Sequence, residues 1–512
     1  MNCSLKSRLL LVITILSAIS FSCVSSRIGA QDQRKREFRG AWLHIVGNTT
    51  IRTLKMDQVK KLFESTLDSL KLTGCNAVIF QIRPQADAFY KSDLEPWSRY
   101  LTGVQGKAPE PFWDPLEFMI EEAHKRGMEL HAWCNPYRVT SNDKDILSKE
   151  HLYYKNPSIF VRYGKQLYFD PGEPESIKHT VRVIADIVSR YDVDAIHFDD
   201  YFYPYPIKNK KFPDDNSFAK YAKSQGFDRS RLGDWRRHNV EMLIKAVNDT
   251  IKSIKPWVRF GISPFGIHRN KRSTPDGSGS DTNGLSNYEE LFADVPAWAE
   301  KGYIDYIAPQ LYWKIGHPVA DYEILINWWS SRNYKGQLYI GQSISTFNEK
   351  EIKNPNTTQM AEKMRLERTL PNIDGNIWWP GWTIPKNPFG FADSLITKYQ
   401  SKIALIPAYK ELDSIPPMPV EQIQRKGREV VWKTCAQQEQ DPMQKALFYA
   451  VYCFPLGVEI NIENSDYLVA VTENKFYLPA KGHRHRNSGE RYVVTALDRC
   501  WNESAPSEIV EY

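Results

Sequence analysis

The sequence predicts a (β/α)8 barrel followed by a small all-β, immunoglobulin-like sandwich, and three observations lead there. Eight short apolar runs recur through the first three quarters of the chain, each ending in polar or aromatic residues. Segments with a helical apolar stripe separate them. Beyond a proline-rich stretch the helical pattern stops, and only strand-like runs and turns remain.

The strands are expected at Phe38–His44, Ala77–Arg83, Glu129–Asn135, Ala195–Asp199, Arg259–Pro264, Tyr306–Gln310, Gln337–Gln342 and Asn376–Trp379. Apolar runs this short are not separable from helix fragments on their own, so the segments between them decide. Met56–Leu72 places Val59, Leu62, Phe63, Leu67 and Leu70 on one helical stripe. Pro115–Arg126, stopped by Gly127, reads the same way. So do Glu175–Ser189, Leu232–Ile254, the stretch around Tyr288–Glu300, Ala320–Ser331 and Thr358–Leu370. Repeated strand–helix alternation is the signature of a barrel whose strand ends form the catalytic face. A doubly wound open sheet is the competitor, but no glycine-rich phosphate loop follows the first strand.

The barrel is bounded at 36–404. Residues 405–419 hold Pro407, Pro416, Pro417 and Pro419 and read as a linker with a stiff end. In 420–512, Val430–Trp432, Leu447–Cys453, Tyr467–Val471 and Arg491–Leu497 are strand-like. With Pro416–Pro417 at its start, Trp432 in the early core and Tyr449–Tyr452 as central strand, this part resembles a fibronectin type III domain. So does Tyr492–Asp498, leading to Asn502–Ser507. A spacer or substrate-presenting module is the expectation. The loop Lys481–Arg486 is basic and is read as solvated, with contact to an anionic polymer as the alternative.

Composition narrows the classes. A chain of 512 residues exceeds what one core usually supports, in keeping with two domains. With 42% apolar and 25% charged residues, global disorder is excluded. A net charge of +6 over this length gives no case for nucleic-acid binding. At the N-terminus Lys6 and Arg8 precede an apolar run, Leu9–Phe21, too short to span a bilayer as a helix, so residues 1–30 read as an export signal and short tether. Either Ser20–Cys23 acts as a bacterial lipobox and leaves Cys23 lipidated, or cleavage follows Ala30. Both outcomes export the protein, to the periplasm or to a lipid anchor on the outer membrane. Cys75, Cys134, Cys435, Cys453 and Cys500 are odd in number and irregular in spacing, so no disulfide framework or zinc site is indicated. Cys75 and Cys134 read as buried thiols, and one bridge among the last three stays open.

The chemistry concentrates in Asp194–Pro206. A buried strand ends there in two carboxylates, Asp199 and Asp200, followed by Tyr201, Phe202, Tyr203 and Tyr205. Carboxylates do acid, base and nucleophile work on acetals, and flat rings stack on sugar faces. If all strand tips face one way, the mouth also collects Trp42, His44, Arg83, Gln85, Asp87, Asn135 and Tyr137. Gln310, Tyr312 and Trp313 follow, with Trp378, Trp379 and Trp382 after the eighth strand. Strand alternation points His197 and Asp199 inward together, while the aim of Asp200 depends on the turn. The catalytic set is therefore Asp199 with Asp200, or with Asp87 after the second strand. Arg83 and His197 are read as orienting groups, and Arg83 equally as half of a structural ion pair. His44 and His131 read first as hydrogen-bonded structural histidines. Of Trp378 and Trp379, alternation sends one ring inward and one toward the helices. A metal centre on His197, Asp199 and Asp200 lacks a second histidine cluster, so no metal or cofactor is expected.

Six ordered motifs, Phe38–Trp42, Gln81–Tyr90, Trp133–Arg138, Asp194–Tyr205, Gly261–Gly266 and Ala308–Trp313, resemble the glycosyl-hydrolase-like family ten over roughly Arg36 to Lys402. The resemblance implies a (β/α)8 barrel of the bacterial envelope. It also implies a glycosidase whose leading substrate is peptidoglycan, since the family includes a division-site lipoprotein that cleaves glycan strands stripped of stem peptides. Dietary, host or capsular glycans are the alternative substrates, and a non-catalytic carbohydrate-binding barrel is the alternative function. No protein partner is indicated. Asp194–Tyr201 also resembles, more loosely, the fourth-strand motif Asp-x-x-Asp-x-Asp-x-Glu of chitinase-like barrels. Asp194 and Asp199 match it, His197 replaces an Asp, and Tyr201 stands where the acid Glu belongs. Substrate-assisted catalysis of that kind requires Asp200 to take over as the acid.

Overall fold

Eight parallel strands close on themselves: β1 (Phe38–Leu43), β2 (Ala77–Arg83), β3 (Glu129–Cys134), β6 (Ala195–Phe198), β7 (Arg259–Ile262), β8 (Tyr306–Ile307), β9 (Gln337–Ser343) and β10 (Gly375–Trp379). Their order around the barrel follows the chain, and β10 pairs with β1 to seal it. A hairpin, β4 (Phe160–Tyr163) and β5 (Gln166–Phe169), is inserted after β3. The computed structural model describes residues 34–347, 358–436, 441–479 and 489–512. The export signal with Cys23, and the basic loop at 481–486, lie outside them.

Every barrel strand except β10 is buried along its whole length, as parallel strands covered on both faces must be. The helices cover the outer face. Met56–Leu72 buries Val59, Phe63, Leu67 and Leu70, and Leu232–Ile254 buries Val240, Leu243, Ile244, Val247 and Ile251. Pro115–Lys125 begins where the Asp114 side chain accepts from Leu116 N at 3.0 Å, with Pro115 at the first helical position. The single helix expected at Tyr288–Glu300 is instead two, Asn287–Glu290 and Val295–Glu300. Phe292 between them takes a left-handed backbone (φ 53°), which a continuous helix does not admit.

Inside the barrel, tight fits are made by leaving side chains out. A Cβ on Gly261 of β7 would lie 1.9 Å from Cζ of Tyr306, and one on Gly341 of β9 would lie 2.8 Å from Cη2 of Trp42. Both rings occupy the barrel interior only because these positions are glycine.

The C-terminal part is all-β, with one sheet ordered β11 (Glu421–Lys426), β12 (Glu429–Lys433), β15 (Phe476–Tyr477). The other is ordered β14 (Leu468–Thr472), β13 (Phe448–Pro455), β16 (Glu490–Leu497), β17 (Val510–Glu511). β11, β15 and β17 were not legible as strands: β11 is almost wholly exposed, and the other two are two residues long. Trp432 is buried and meets Tyr449 edge-on at 5.4 Å. The sandwich packs against the N-terminal ends of the barrel strands, opposite the mouth. The first half of the stretch read as a linker is part of this contact: Leu405, Ile406 and Tyr409 are buried with Phe38, Ile79 and Tyr339 of the barrel and Phe448 and Trp501 of the sandwich. All five described cysteines are free thiols, and Cys75 and Cys134 are buried. Among the described residues no helix is long and apolar enough to cross a membrane.

Candidate active site

A cavity of about 500 Å³ opens at the C-terminal ends of the strands, within the range of about 300–1,000 Å³ usual for ligand sites. Seven of the eight barrel strands or the loops after them line it, and β9 contributes the glycine that admits Trp42. Its floor holds Asp199 and Asp200, both 3% exposed. Among the described residues they are the only carboxylates in the lining, and Arg138 is its only strong cation.

The turn after β6 aims the two acids differently. Asp199 faces β3: its Oδ2 accepts from Trp133 Nε1 at 3.2 Å and from Asn135 Nδ2, and its Oδ1 accepts from Tyr201 N at 3.2 Å. Asp200 faces β8: its Oδ1 accepts from Gln310 Nε2 at 3.1 Å, and its Oδ2 from the hydroxyl of Tyr205. A chain of fixed amides sets the donor at Asp199. The backbone N–H groups of Ile45 and Val46 donate to Gln81 Oε1 at 2.7 and 3.0 Å, so Gln81 Nε2 must face Asn135 Oδ1, 2.7 Å away. Arg138 Nη2 donates to the same Oδ1 at 2.9 Å, which leaves Asn135 Nδ2 for the carboxylate.

Burial raises the Asp199 carboxyl, the nearby charge of Asp200 raises it further, and despite the opposing field of Arg138 it reaches about 7. Burial also raises Asp200, against the hydrogen bonds from Tyr205 and Gln310. Asp199 therefore keeps much of its proton up to neutrality, and burial beside a second carboxyl is the cause. That is the state a general acid needs.

Aromatic side chains wall the cavity. Trp379 packs 4.7 Å from His44 and 6.2 Å from Trp133, Trp42 meets Tyr312 edge-on at 6.5 Å, and Trp313 meets Phe265 at 5.4 Å. Tyr201 lies under the Arg138 guanidinium at 4.9 Å. Burial lowers His44 to about 4, so it is neutral.

His197 does not reach the cavity as a free group. Indole N–H only donates, so the contact from Trp42 Nε1, 3.2 Å away, makes His197 Nε2 an acceptor, which also receives Ser263 Oγ at 2.9 Å. The proton therefore sits on Nδ1 and is donated to Tyr306 Oη at 2.9 Å. Tyr306 in turn donates to His131 Nδ1 at 2.8 Å, and His131 Nε2 donates to Glu129 Oε2 at 2.9 Å. With both nitrogens engaged, and its pKa pushed well down by burial and by His131, His197 is a neutral support for Trp42 and Ser263. Among the described residues no group of three or more His, Cys, Asp or Glu is arranged to hold a metal ion.

Of the residues expected at the mouth, Asp199, Asp200, Trp42, His44, Tyr201, Gln310, Tyr312, Trp313 and Trp379 line the cavity, with Asn135 and His197 directly behind it. Six do not join them, Trp378 among them, and Gln85 turns instead to Ser141 at 2.6 Å and Asp145 at 3.1 Å. Asp87 is fully buried in the loop after β2, its carboxylate taken by Gln85 N at 3.1 Å and Gln105 Nε2 at 3.0 Å, so it is no partner for Asp199. Arg83 is the ion pair it equally suggested: it holds Glu95 at 2.5 Å and fastens the Asn135 and Pro136 carbonyls. Tyr137 is buried outside the lining, and Trp382 donates to the His44 carbonyl at 2.7 Å while packing on Phe63. The expected split of the tryptophan pair is found, with Trp379 inward and Trp378 outward against Phe391. Gln81, Trp133, Arg138, Tyr205, Ser263 and Phe265 line the cavity without having been singled out. Strand parity with Trp42, Asp199 and Gly261 was the available signal for Gln81, Trp133 and Ser263.

A second cleft of about 540 Å³ lies at the other end of the barrel, between the starts of β8 and β9 and residues 407–412. Its Lys252–Asp305 pair is structural, since the same Asp305 oxygen also accepts from Phe260 N.

Comparison with known proteins finds relatives over most of the chain. The chain is 44% identical over 396 residues to glycosyl hydrolase YngK of Bacillus subtilis (strain 168), covering 76% of each chain. It is 36% identical over 373 residues to glycosyl hydrolase DigH of Escherichia coli (strain K12), covering 67% of this chain and 83% of that one. Among solved structures, the catalytic domain of β-amylase from Paenibacillus polymyxa is similar with a TM-score of 0.47 at 11% identity, over 72% of this chain and 98% of that one. The glycoside hydrolase domain of PgaB (BpsB) from Bordetella bronchiseptica gives 0.46 at 10%, over 71% and 98%. The barrel assignment rests on the strand pairing itself. Residues 37–359, which carry the two acids and all but one of the cavity-lining residues, match the family model "Glycosyl hydrolase-like 10", and the chain belongs to that family.

Proposed function

We propose that this chain is an exported glycoside hydrolase that cleaves the glycan strands of peptidoglycan at the bacterial envelope. One observation carries the enzymatic reading: two buried, adjacent carboxylates, Asp199 and Asp200, on the floor of an aromatic-walled cavity at the barrel mouth. Acid catalysis at an acetal needs a carboxyl that keeps its proton near neutrality, and sugar recognition needs flat apolar faces beside hydrogen-bonding groups. Kinship with glycosyl hydrolases over most of the chain supports the same chemistry. The substrate follows from the family resemblance, and the apolar leader after Lys6 and Arg8 supports export, with a lipid on Cys23 or cleavage after Ala30. The three- and four-stranded sheets of the C-terminal sandwich support a fibronectin type III kinship for that unit.

The test is release of soluble fragments from peptide-stripped peptidoglycan by the wild type, Asp199→Asn and Asp200→Asn. The wild type should release them, and each variant should be slower by about 10²–10⁴-fold, the usual worth of a positioned acid or base. If all three proteins bind the strands and none releases fragments, the barrel is a carbohydrate-binding module.

A further inference from the structure

Acids and aromatic rings suit any sugar, whereas the cation beside them, Arg138, suits a particular kind. Arg138 follows β3, and the inserted hairpin fixes its backbone: it bridges Tyr168 of β5, and Val139 N donates to Leu167 O at 3.0 Å. The side chain is 8% exposed, lines the cavity, and lays its guanidinium over the Tyr201 ring. Its Nε donates to the Pro84 carbonyl at 3.1 Å and its Nη2 to Asn135 Oδ1 at 2.9 Å. Both acceptors are neutral, so these contacts hold the group in place without pairing its charge. Among the described residues Arg138 forms no ion pair, and Nη1 has two N–H donors that neither contact uses.

We propose that Arg138 is a specificity determinant: it binds a carboxylate carried by the glycan, so that the site selects acidic sugars over neutral ones. This rests on the carbohydrate site proposed above and specifies its substrate. Taking an arginine out of water is costly, and neutral carbonyls repay only part of that cost. A carboxylate repays more, because its two oxygens match the flat guanidinium and hydrogen bonds to charged partners are about twice as strong as neutral ones. One carboxamide, that of Asn135, separates the guanidinium from Asp199, and the field of Arg138 reaches both acids. The carboxylate it holds therefore belongs to a sugar beside the scissile bond. Because Asp199 keeps much of its proton up to neutrality, the cavity floor repels that anion only weakly.

Two glycan chemistries supply such a group: the lactyl ether of a muramic residue whose carboxyl is free, and a uronate. A stem peptide attached to the lactyl group turns its carboxylate into a neutral amide, which offers Arg138 no charge. Carboxylate and amide are nearly the same size, so their comparison isolates the charge.

The experiment uses the full chain and two polymers, soluble peptide-stripped glycan strands and hyaluronan, which carries a uronate. Each is prepared with its carboxylates free and with them capped as methylamides. The wild type, Arg138→Gln and Arg138→Lys are compared by calorimetric affinity and by kcat/KM. Expected in the wild type is a preference of at least tenfold for free over capped stripped strands. That ratio should fall to near one in Arg138→Gln and stay intermediate in Arg138→Lys, which keeps the charge and loses the fork. A residue that only clamps Pro84 and Asn135 would change both forms of the strands alike and leave the ratio where it was. If the preference appears with hyaluronan instead, and Arg138→Gln abolishes it, Arg138 keeps its role and the substrate is a uronate polymer. A wild-type ratio near one with both polymers, or a ratio that Arg138→Gln leaves unchanged, overturns the assignment and leaves the hydrolase reading standing. A preference seen in affinity with no hydrolysis of either polymer upholds Arg138 and overturns the hydrolase reading. The wild-type ratios need no variant, and Arg138→Lys serves where Arg138→Gln does not fold.

Discussion

At the scale of single residues, the pair Asp199–Asp200 ties activity and stability to the same proton in opposite ways. Burial first, and then the charge of Asp200, pushes the Asp199 carboxyl up to about 7 from an ordinary value near 3.8. An acid of this kind works only while protonated, so kcat/KM on glycan strands should hold steady through mildly acidic pH and fall about tenfold per unit well above pH 7. Stability follows the same group. The folded state binds this proton more tightly than the unfolded chain does, so the stability it confers is complete below about pH 4 and lost as pH rises through 7. Asp199→Asn removes that titration, so its melting temperature should gain on the wild type between pH 5 and pH 8. A gap between the two proteins that does not change with pH would show that Asp199 is ionised throughout. The chain that aims Asp199 is equally testable. Gln81→Leu leaves the Ile45 and Val46 N–H groups and Asn135 Oδ1 without a partner. It should lower kcat/KM by about tenfold or more, because Gln81 lines the cavity and fixes the Asn135 amide that aims Asp199.

At the scale of the element, the strand tips explain both what the sequence revealed and what it hid. Buried parallel strands are continuous apolar runs, so each of the eight was legible to within a few residues, and Leu232–Ile254 was legible in full. Period-two alternation then identified Asp199 as inward and required one ring of Trp378 and Trp379 to be so, because that parity is fixed by the backbone. Loops carry no such rule. Asp87 sits only four residues past the inward-facing end of β2, yet the loop turns back, with Phe89 N donating to Ile82 O, and buries it. Tyr205 and Phe265 reach the cavity along loop paths that no periodicity encodes. Residues that act by being small were hidden too. Gly341 on β9 gives the cavity no side chain, but a Cβ there would lie 2.8 Å from the Trp42 ring and 3.0 Å from the Pro309 carbonyl. Gly341→Ala should cost about 1–3 kcal/mol by overpacking. Because Trp42 both lines the cavity and donates to His197, the variant should also raise KM, read from melting curves and steady-state kinetics.

At the scale of the whole molecule, the sandwich and the barrel share one buried interface at the end away from the cavity, and its polar centre is Glu129. Glu129 accepts from Arg259 and from the indole N–H of Trp501, while Arg259 Nη1 also donates to the Arg499 carbonyl at 2.7 Å. Around them Phe38, Ile79 and Tyr339 of the barrel pack with Leu405, Ile406 and Tyr409 and with Phe448 and Trp501 of the sandwich. Further ion pairs join the units at the rim, Lys35 to Glu503 at 2.7 Å and Asp192 to Arg499 at 2.9 Å. The partly exposed Asp192–Arg499 pair adds little, about 0–1 kcal/mol, whereas Lys35 and Glu503 are both buried and removing either partner would strand the other charge. The centre decides the coupling. Trp501 is 1% exposed and takes a left-handed backbone (φ 61°), a conformation a bulky residue keeps only where packing holds it. Trp501→Phe keeps most of the apolar contact and leaves Glu129 short of one donor, at a cost of about 1–3 kcal/mol. Trp501→Ala adds a cavity and should cost about 3–5 kcal/mol. An interface this apolar makes the two units one cooperative body. Calorimetry of the wild type should show a single transition, and Trp501→Ala should either lower it as a whole or split it in two. A wild-type trace with two separate transitions, the lower one unmoved by Trp501→Phe, would mean that the sandwich folds independently of the barrel.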